Sequence, residues 1–112
     1  MNREFVYTEP FNRCWKAMGL TDEHLIELEQ FLLNDPLAGD VIPDLGGARK
    51  IRIQLGNKGK SGGGRVIYLD VFAASKTYLL FAYPKSVQED LTPDQKKAIR
   101  TIIEMIKQGN AK

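Results

Sequence analysis

Residues 50–55 read Lys50-Ile51-Arg52-Ile53-Gln54-Leu55, and residues 65–72 read Arg65-Val66-Ile67-Tyr68-Leu69-Asp70-Val71-Phe72. In the first stretch aliphatic and polar side chains alternate with a period of two. That is the pattern of a strand with one buried face, and it puts Lys50 and Arg52 together on the other face. The second stretch is rich in β-branched and aromatic residues, as sheet strands are. Thr77 to Tyr83 forms a third such run after a turn over Ala73 to Lys76. Consecutive strands with short connections pair antiparallel, so these three are expected to form a meander.

Upstream of the meander the period is helical. Thr8-Glu9-Pro10 supplies a hydroxyl cap and a proline tolerated in a first turn. Phe11, Cys14, Trp15 and Met18 then follow at i, i+3, i+4 and i+7, and Gly19 closes the helix. Thr21-Asp22-Glu23 opens a second helix with Leu25, Leu28, Phe31 and Leu32 on one face, stopped by Asn34-Asp35-Pro36. Phe5-Val6-Tyr7 suggests a short first strand, and the chain is extended around Val41-Ile42-Pro43. Downstream, Thr92-Pro93-Asp94-Gln95 combines a cap, a first-turn proline and a capping-box glutamine. Ala98, Ile99, Ile102, Ile103 and Ile106 mark the buried stripe of the helix it opens, and Gly109 ends it. The order βααβββα predicts an α+β fold: a twisted antiparallel sheet with two N-terminal helices and a C-terminal helix packed on one face.

At 112 residues the chain is one domain, residues 1–112,. Hydrophobic content of 43% and charged content of 27% place it among ordinary globular proteins,. The single cysteine, Cys14, excludes an internal disulfide and fits a reducing compartment,. The start Met1-Asn2-Arg3-Glu4 leads into no apolar signal region, and the apolar run Tyr78 to Tyr83 is too short to span a bilayer. A cytoplasmic protein is expected, with no membrane partner.

The charge is concentrated. Between Gly46 and Leu69 there is no acidic residue, yet Arg49, Lys50, Arg52, Lys58, Lys60 and Arg65 all fall there, interleaved with glycines. The whole chain is only +2, so the remainder is net acidic. A local cationic stripe with backbone freedom is the footprint of a surface that holds phosphates. The expected site gathers Lys58, Lys60, Arg65, Tyr83 and Lys85, the last two sharing a side if the chain stays extended through Pro84. On RNA, attack of a 2′-OH on the neighbouring phosphate needs a proton acceptor, a proton donor and charge stabilisation. Arg65 suits the charge, because its planar fork is always protonated. A lysine crowded by other cations has its pKa lowered, which makes Lys60 or Lys85 a candidate base or acid. Tyr83 is a candidate for stacking on a base or relaying a proton.

Plainer readings stand beside these. A charged strand face is usually just solvated, and a sheet tyrosine is more often half-buried than reactive. His24, the sole histidine, lacks a ligand partner near in sequence, so no metal and no cofactor are expected. Gly59-Lys60-Ser61 looks like the tail of a phosphate-binding loop, but Gln54 stands where that motif needs glycine, and a strand follows instead of a helix.

The series Gly46-Gly47-Ala48-Arg49-Lys50-Ile51-Arg52, Gly59-Lys60-Ser61-Gly62-Gly63-Gly64-Arg65-Val66-Ile67-Tyr68, Tyr78-Leu79-Leu80 through Tyr83-Pro84-Lys85, and Glu89-Asp90-Leu91-Thr92 resembles the RelE-superfamily toxins of bacterial toxin–antitoxin pairs, in particular the HigB-type branch. The resemblance implies a RelE-like fold and a ribosome-dependent mRNA interferase, an endoribonuclease that cuts the message in the ribosomal A site. It implies two kinds of partner: the 70S ribosome with its mRNA, and a cognate antitoxin, often of helix-turn-helix type, through which alone DNA is touched. Lys58 and Lys60, Arg65, and Tyr83 with Lys85 match the family's places that position and cleave mRNA; catalysis is expected of Arg65, Lys60, Tyr83 and Lys85, and RNA binding of Arg49, Lys50, Arg52 and Lys58. Leu45 replaces the glycine common before the Gly-Gly pair, and Pro84-Lys85-Ser86 replaces the usual Ala-Lys-Asn. The general base stays open between lysines. The alternatives are a ParE-like toxin that binds DNA gyrase without nuclease chemistry, or a non-catalytic RNA-binding relative.

Overall fold

A computed structural model describes residues 3–54 and 63–109 of the chain. Lys58, Lys60 and Leu55 lie outside the described residues. Strand β1 (Glu4–Tyr7) leads through the capping residue Thr8 into helix α1 (Glu9–Ala17), and α2 (Asp22–Asn34) follows. Strand β2 (Asp40–Val41) precedes the meander of β3 (Arg49–Ile53), β4 (Gly64–Val71) and β5 (Lys76–Pro84), with a 3-10 turn at Phe72–Ala74, and α3 (Pro93–Gly109) ends the fold.

Local chemistry sets the helix ends. The Thr8 hydroxyl accepts from the Phe11 amide, and Gly19 at φ +75° takes the left-handed turn after α1,. At α2 the Thr21 hydroxyl accepts from the His24 amide while the His24 ring accepts from the Thr21 amide, a capping box closed by histidine,. His24 therefore has a structural task. Gln95 closes the box at α3, its side chain accepting from the Thr92 amide at 3.0 Å and its own amide donating to the Thr92 hydroxyl at 3.1 Å.

The five strands lie in the order β1-β5-β4-β3-β2. β2, β3, β4 and β5 are antiparallel neighbours, as the short connections require. The expectation of a wholly antiparallel sheet is corrected at one edge, where β1 pairs parallel with β5, Phe5 opposite Thr77. The two-helix hairpin makes this possible, because it carries the chain from one edge of the sheet to the other before β2 begins.

A second correction concerns the layers. The helices cover both faces of the sheet. Phe11 and Trp15 of α1 and Leu28 and Leu32 of α2 form one core cluster with Ile51, Val66, Tyr68 and Leu79. Ile99 and Ile103 of α3 form another with Ile67, Leu69, Leu80 and Tyr83. β4 is consequently buried from Gly64 through Leu69. Each large aliphatic or aromatic side chain so enclosed contributes about 1.5–3 kcal/mol of transfer free energy. Two stripe residues sit outside these cores: Phe31 is 49% exposed, and Ala98 lies on the solvent side of α3.

Two buried polar contacts lock the sheet. The Tyr68 hydroxyl, in a fully buried side chain, accepts from the Gly39 amide at 3.0 Å. At the far end of β4, Arg3 pairs with Asp70, and both Arg3 and Asp70 are bonded to Thr77.

Candidate functional site

Strand register decides which cations meet. Arg52 on β3 lies directly opposite Arg65 on β4, and Arg65 lies directly opposite Tyr83 on β5. Lys50 is two residues from Arg52 and shares its face. This is the face on which α3 packs, its cluster centred on Ile67, Leu69 and Leu80 and reaching Tyr83. At the Arg52 and Arg65 end lies an open groove of about 260 Å³ lined by Asp40, Lys50, Ile51, Arg52, Arg65 and Glu89. Like charges directly across a strand pair are destabilising. The Arg52–Arg65 pairing is thus a local cost inside an otherwise consistent fold, and such conflicts concentrate where a surface is built for a ligand.

Arg65 is only 7% exposed, and its Nη1 donates to the Gly64 carbonyl at 3.1 Å. The central strand and its guanidinium contact fix the fork at the groove. Tyr83 is 3% exposed and donates its hydroxyl to the Glu89 carbonyl at 3.2 Å. Burial pushes its phenol up from the ordinary value, against the opposing pull of Lys50 and Arg65,. At neutral pH the phenol therefore stays protonated. The expectation that Tyr83 stacks on a base is corrected, since so little of the ring is accessible.

Lys50 and Asp90 form an ion pair at 2.8 Å. The hydrogen bond that Lys50 donates to Asp90 raises the Lys50 pKa, and the same bond holds the Asp90 carboxyl below its usual range. Lys50 is therefore a fixed cation with no proton to give up near neutrality. The segment bearing Asp90 is anchored: Gln88 donates to the Asp90 carbonyl at 2.9 Å and to the Gln95 side chain at 2.7 Å.

Of the remaining expected members, Arg49 is placed otherwise and Lys85 lies at the end of β5. Arg49 is on the opposite face from Lys50 and Arg52, and its Nη1 donates to the carbonyls of Leu37 at 3.2 Å and Gly39 at 2.7 Å. It ties β3 to the segment after α2 and does not join the groove. Lys85 begins a turn, because the Val87 amide returns to the Pro84 carbonyl at 3.0 Å. Strand β5 is extended through Pro84, the condition set for bringing Lys85 beside Tyr83, and Lys85 is the first residue past the strand. Its exposed residue stays at this end of the sheet, where its amide donates to the Gly63 carbonyl at 3.0 Å. Gly63 has φ +52°, and a Cβ there would overlap the Ile53 carbonyl, so glycine is required where the described chain resumes,.

The acidic partners Glu89 and Asp90 were not expected in the site. Their signal was the pair Glu89-Asp90 just ahead of the α3 cap, which the pattern leaves beside the end of β5. Among the described residues no helix is long and apolar enough to cross a membrane.

The fold resembles two solved Escherichia coli proteins. A doubly substituted variant of toxin RelE in the free state aligns over 80% of this chain and 90% of its own, with a TM-score of 0.52 and 16% identity. The intact RelBE toxin–antitoxin complex contains a chain that aligns over 74% of this one and 96% of its own, with a TM-score of 0.56 and 17% identity. At such identities the likeness concerns the fold. The family model described as the RelE toxin of the RelE/RelB toxin–antitoxin system matches residues 4–112. With that match spanning the sheet, its helices and the cationic groove, the chain belongs to the RelE toxin family of toxin–antitoxin systems.

Proposed function

We propose that this toxin is a ribosome-dependent mRNA interferase of the HigB-type branch, cutting mRNA by attack of a 2′-OH on its adjacent phosphate. The observation that carries the reading is the Arg52–Arg65 cross-strand pair beside Lys50, three cations that the sheet gathers at one groove where a phosphodiester can bind. Arg65, permanently charged and rigidly held, stabilises the charge that grows on the phosphate oxygens. Arg52 and Lys50 hold the strand, with Lys58 of the preceding loop as a further RNA contact. The 2′ oxygen bonds to phosphorus, the 5′ oxygen leaves, and a 2′,3′-cyclic phosphate and a 5′-OH result. The proton lost from the 2′-OH goes to a lysine of the loop or turn, Lys60 or Lys85, and Lys50 is excluded by its pairing with Asp90. Tyr83 holds the Glu89 carbonyl through its hydroxyl and so positions the turn beside the groove, and the leaving 5′ oxygen takes its proton from the other of Lys60 and Lys85. A cognate antitoxin of helix-turn-helix type is the proposed partner, with a cytoplasmic site of action on the 70S ribosome.

Expression of the chain without an antitoxin should stop incorporation of labelled amino acids within minutes of induction. A ParE-like activity makes a different prediction: translation continues at first while plasmid DNA loses negative supercoiling. That second pattern would move the assignment to the gyrase-binding class.

A further inference from the structure

The cationic groove carries its own anion. Asp90 contacts Lys50 at 2.8 Å, yet the Asp90 side chain is 70% exposed while that of Lys50 is 29% exposed. An ion pair open to this degree contributes little to the fold and is easily exchanged for another anion. The carboxylate is nevertheless delivered to one place. The Tyr83 hydroxyl holds the Glu89 carbonyl, Gln88 holds the Asp90 carbonyl, and Leu91, 8% exposed, is sunk in the α3 core. A backbone anchored on three sides presents a carboxylate whose side chain is free to swing away.

We infer that Asp90 is a specificity-determining counter-charge of this groove, occupying Lys50 until a phosphodiester of the RNA strand displaces it. The inference rests on the phosphodiester-binding reading of the groove. While Lys50 stays paired with Asp90 it neutralises no phosphate and releases none of the RNA's condensed counterions, so it adds little to affinity for an isolated strand. Asp90 thereby sets a threshold: a phosphate held in place by other contacts displaces it, and a loosely bound strand does not.

The test is binding of a fluorescent 2′-O-methyl oligoribonucleotide, which keeps the phosphates and lacks the attacking hydroxyl. Anisotropy is followed across a salt series with the full chain, Asp90→Asn, Asp90→Asn/Lys50→Ala and Glu104→Gln. Glu104 is an exposed carboxylate toward the far end of α3, and its loss changes the net charge equally. Each additional phosphate-paired cation steepens the slope of log affinity against log salt by about 0.7 for a single strand. Asp90→Asn should show that increase, with roughly five- to tenfold tighter binding near 0.05 M salt. Adding Lys50→Ala should return the slope to the parental one, and Glu104→Gln should leave it there. If the parent binds and Asp90→Asn has the same slope and affinity, Asp90 is only a surface tie of its loop and the inference is overturned alone. If neither protein binds at the lowest salt, the phosphodiester reading of the groove falls with it.

Discussion

Arg65→Ala should lower mRNA cleavage on programmed ribosomes by about 10²–10³, the usual cost of removing one preorganised donor from a developing oxyanion. Arg65 is the residue in which geometry and chemistry coincide. It sits on the central strand between Arg52 and Tyr83, it lines the groove, and it is 7% exposed. That burial means the alanine variant also opens space beside β3 and β5, so a lost activity must be separated from a lost fold. Arg65→Lys serves this purpose. It keeps the charge and most of the volume but loses the planar fork, and Lys is no substitute at a bidentate site. The lysine variant should melt close to the parent and still cut more than tenfold more slowly. Parental cleavage rates in Arg65→Ala, measured by primer extension on the same message, would remove Arg65 from the mechanism.

The largest effect on stability belongs elsewhere, at the Arg3–Asp70 pair. Its side chains are 2% and 4% exposed, and Thr77 completes the cluster. Removing one partner of a buried ion pair leaves an uncompensated charge and typically costs about 3–5 kcal/mol. Asp70→Ala should lose that much in urea unfolding, a large share of the roughly 5–15 kcal/mol that holds a domain together. The damage starts at β1, because Arg3 precedes the parallel β1–β5 pairing at the edge of the sheet. Replacing both partners together with apolar residues, Arg3→Met with Asp70→Leu, should recover most of the loss. A loss under about 0.5 kcal/mol in Asp70→Ala, the range of an ordinary surface substitution, would show that the pair does not anchor the edge.

Much of this architecture is written in local pattern. The caps at Thr8, Thr21 and Thr92 and the period of two at Lys50 to Ile53 are short-range signals, and each element they announce is present. The placement of α3 opposite the helical hairpin was also legible, but in a feature that the alternation of β3 obscured. Val66-Ile67-Tyr68-Leu69 and Leu79-Leu80 do not alternate, which marks strands buried on both faces. The parallel edge was not legible, since four residues of β1 carry no sign of their partner. At the site, Lys50, Arg52 and Arg65 follow from alternation plus hairpin register. Arg49 was misplaced although the same alternation sends it to the other face. Lys85 follows directly from the extension of β5 through Pro84, and the turn that begins there keeps it at the end of the sheet. The Lys50–Asp90 contact joins residues far apart in sequence, and only the docking of α3 brings them together.

Among the described residues the groove has charge and a rigid arginine but no histidine, and orientation of a substrate supplies several kcal/mol of a barrier. The ribosome is the proposed source of that orientation. Purified protein incubated at matched salt with one mRNA, free and held on 70S ribosomes, tests this most directly. Rapid cuts bearing 5′-OH ends are expected in the ribosome-bound message only, with free RNA bound weakly and left essentially intact. Equal cutting of both would contradict the need for the ribosome, and an intact message in both would contradict the nuclease itself.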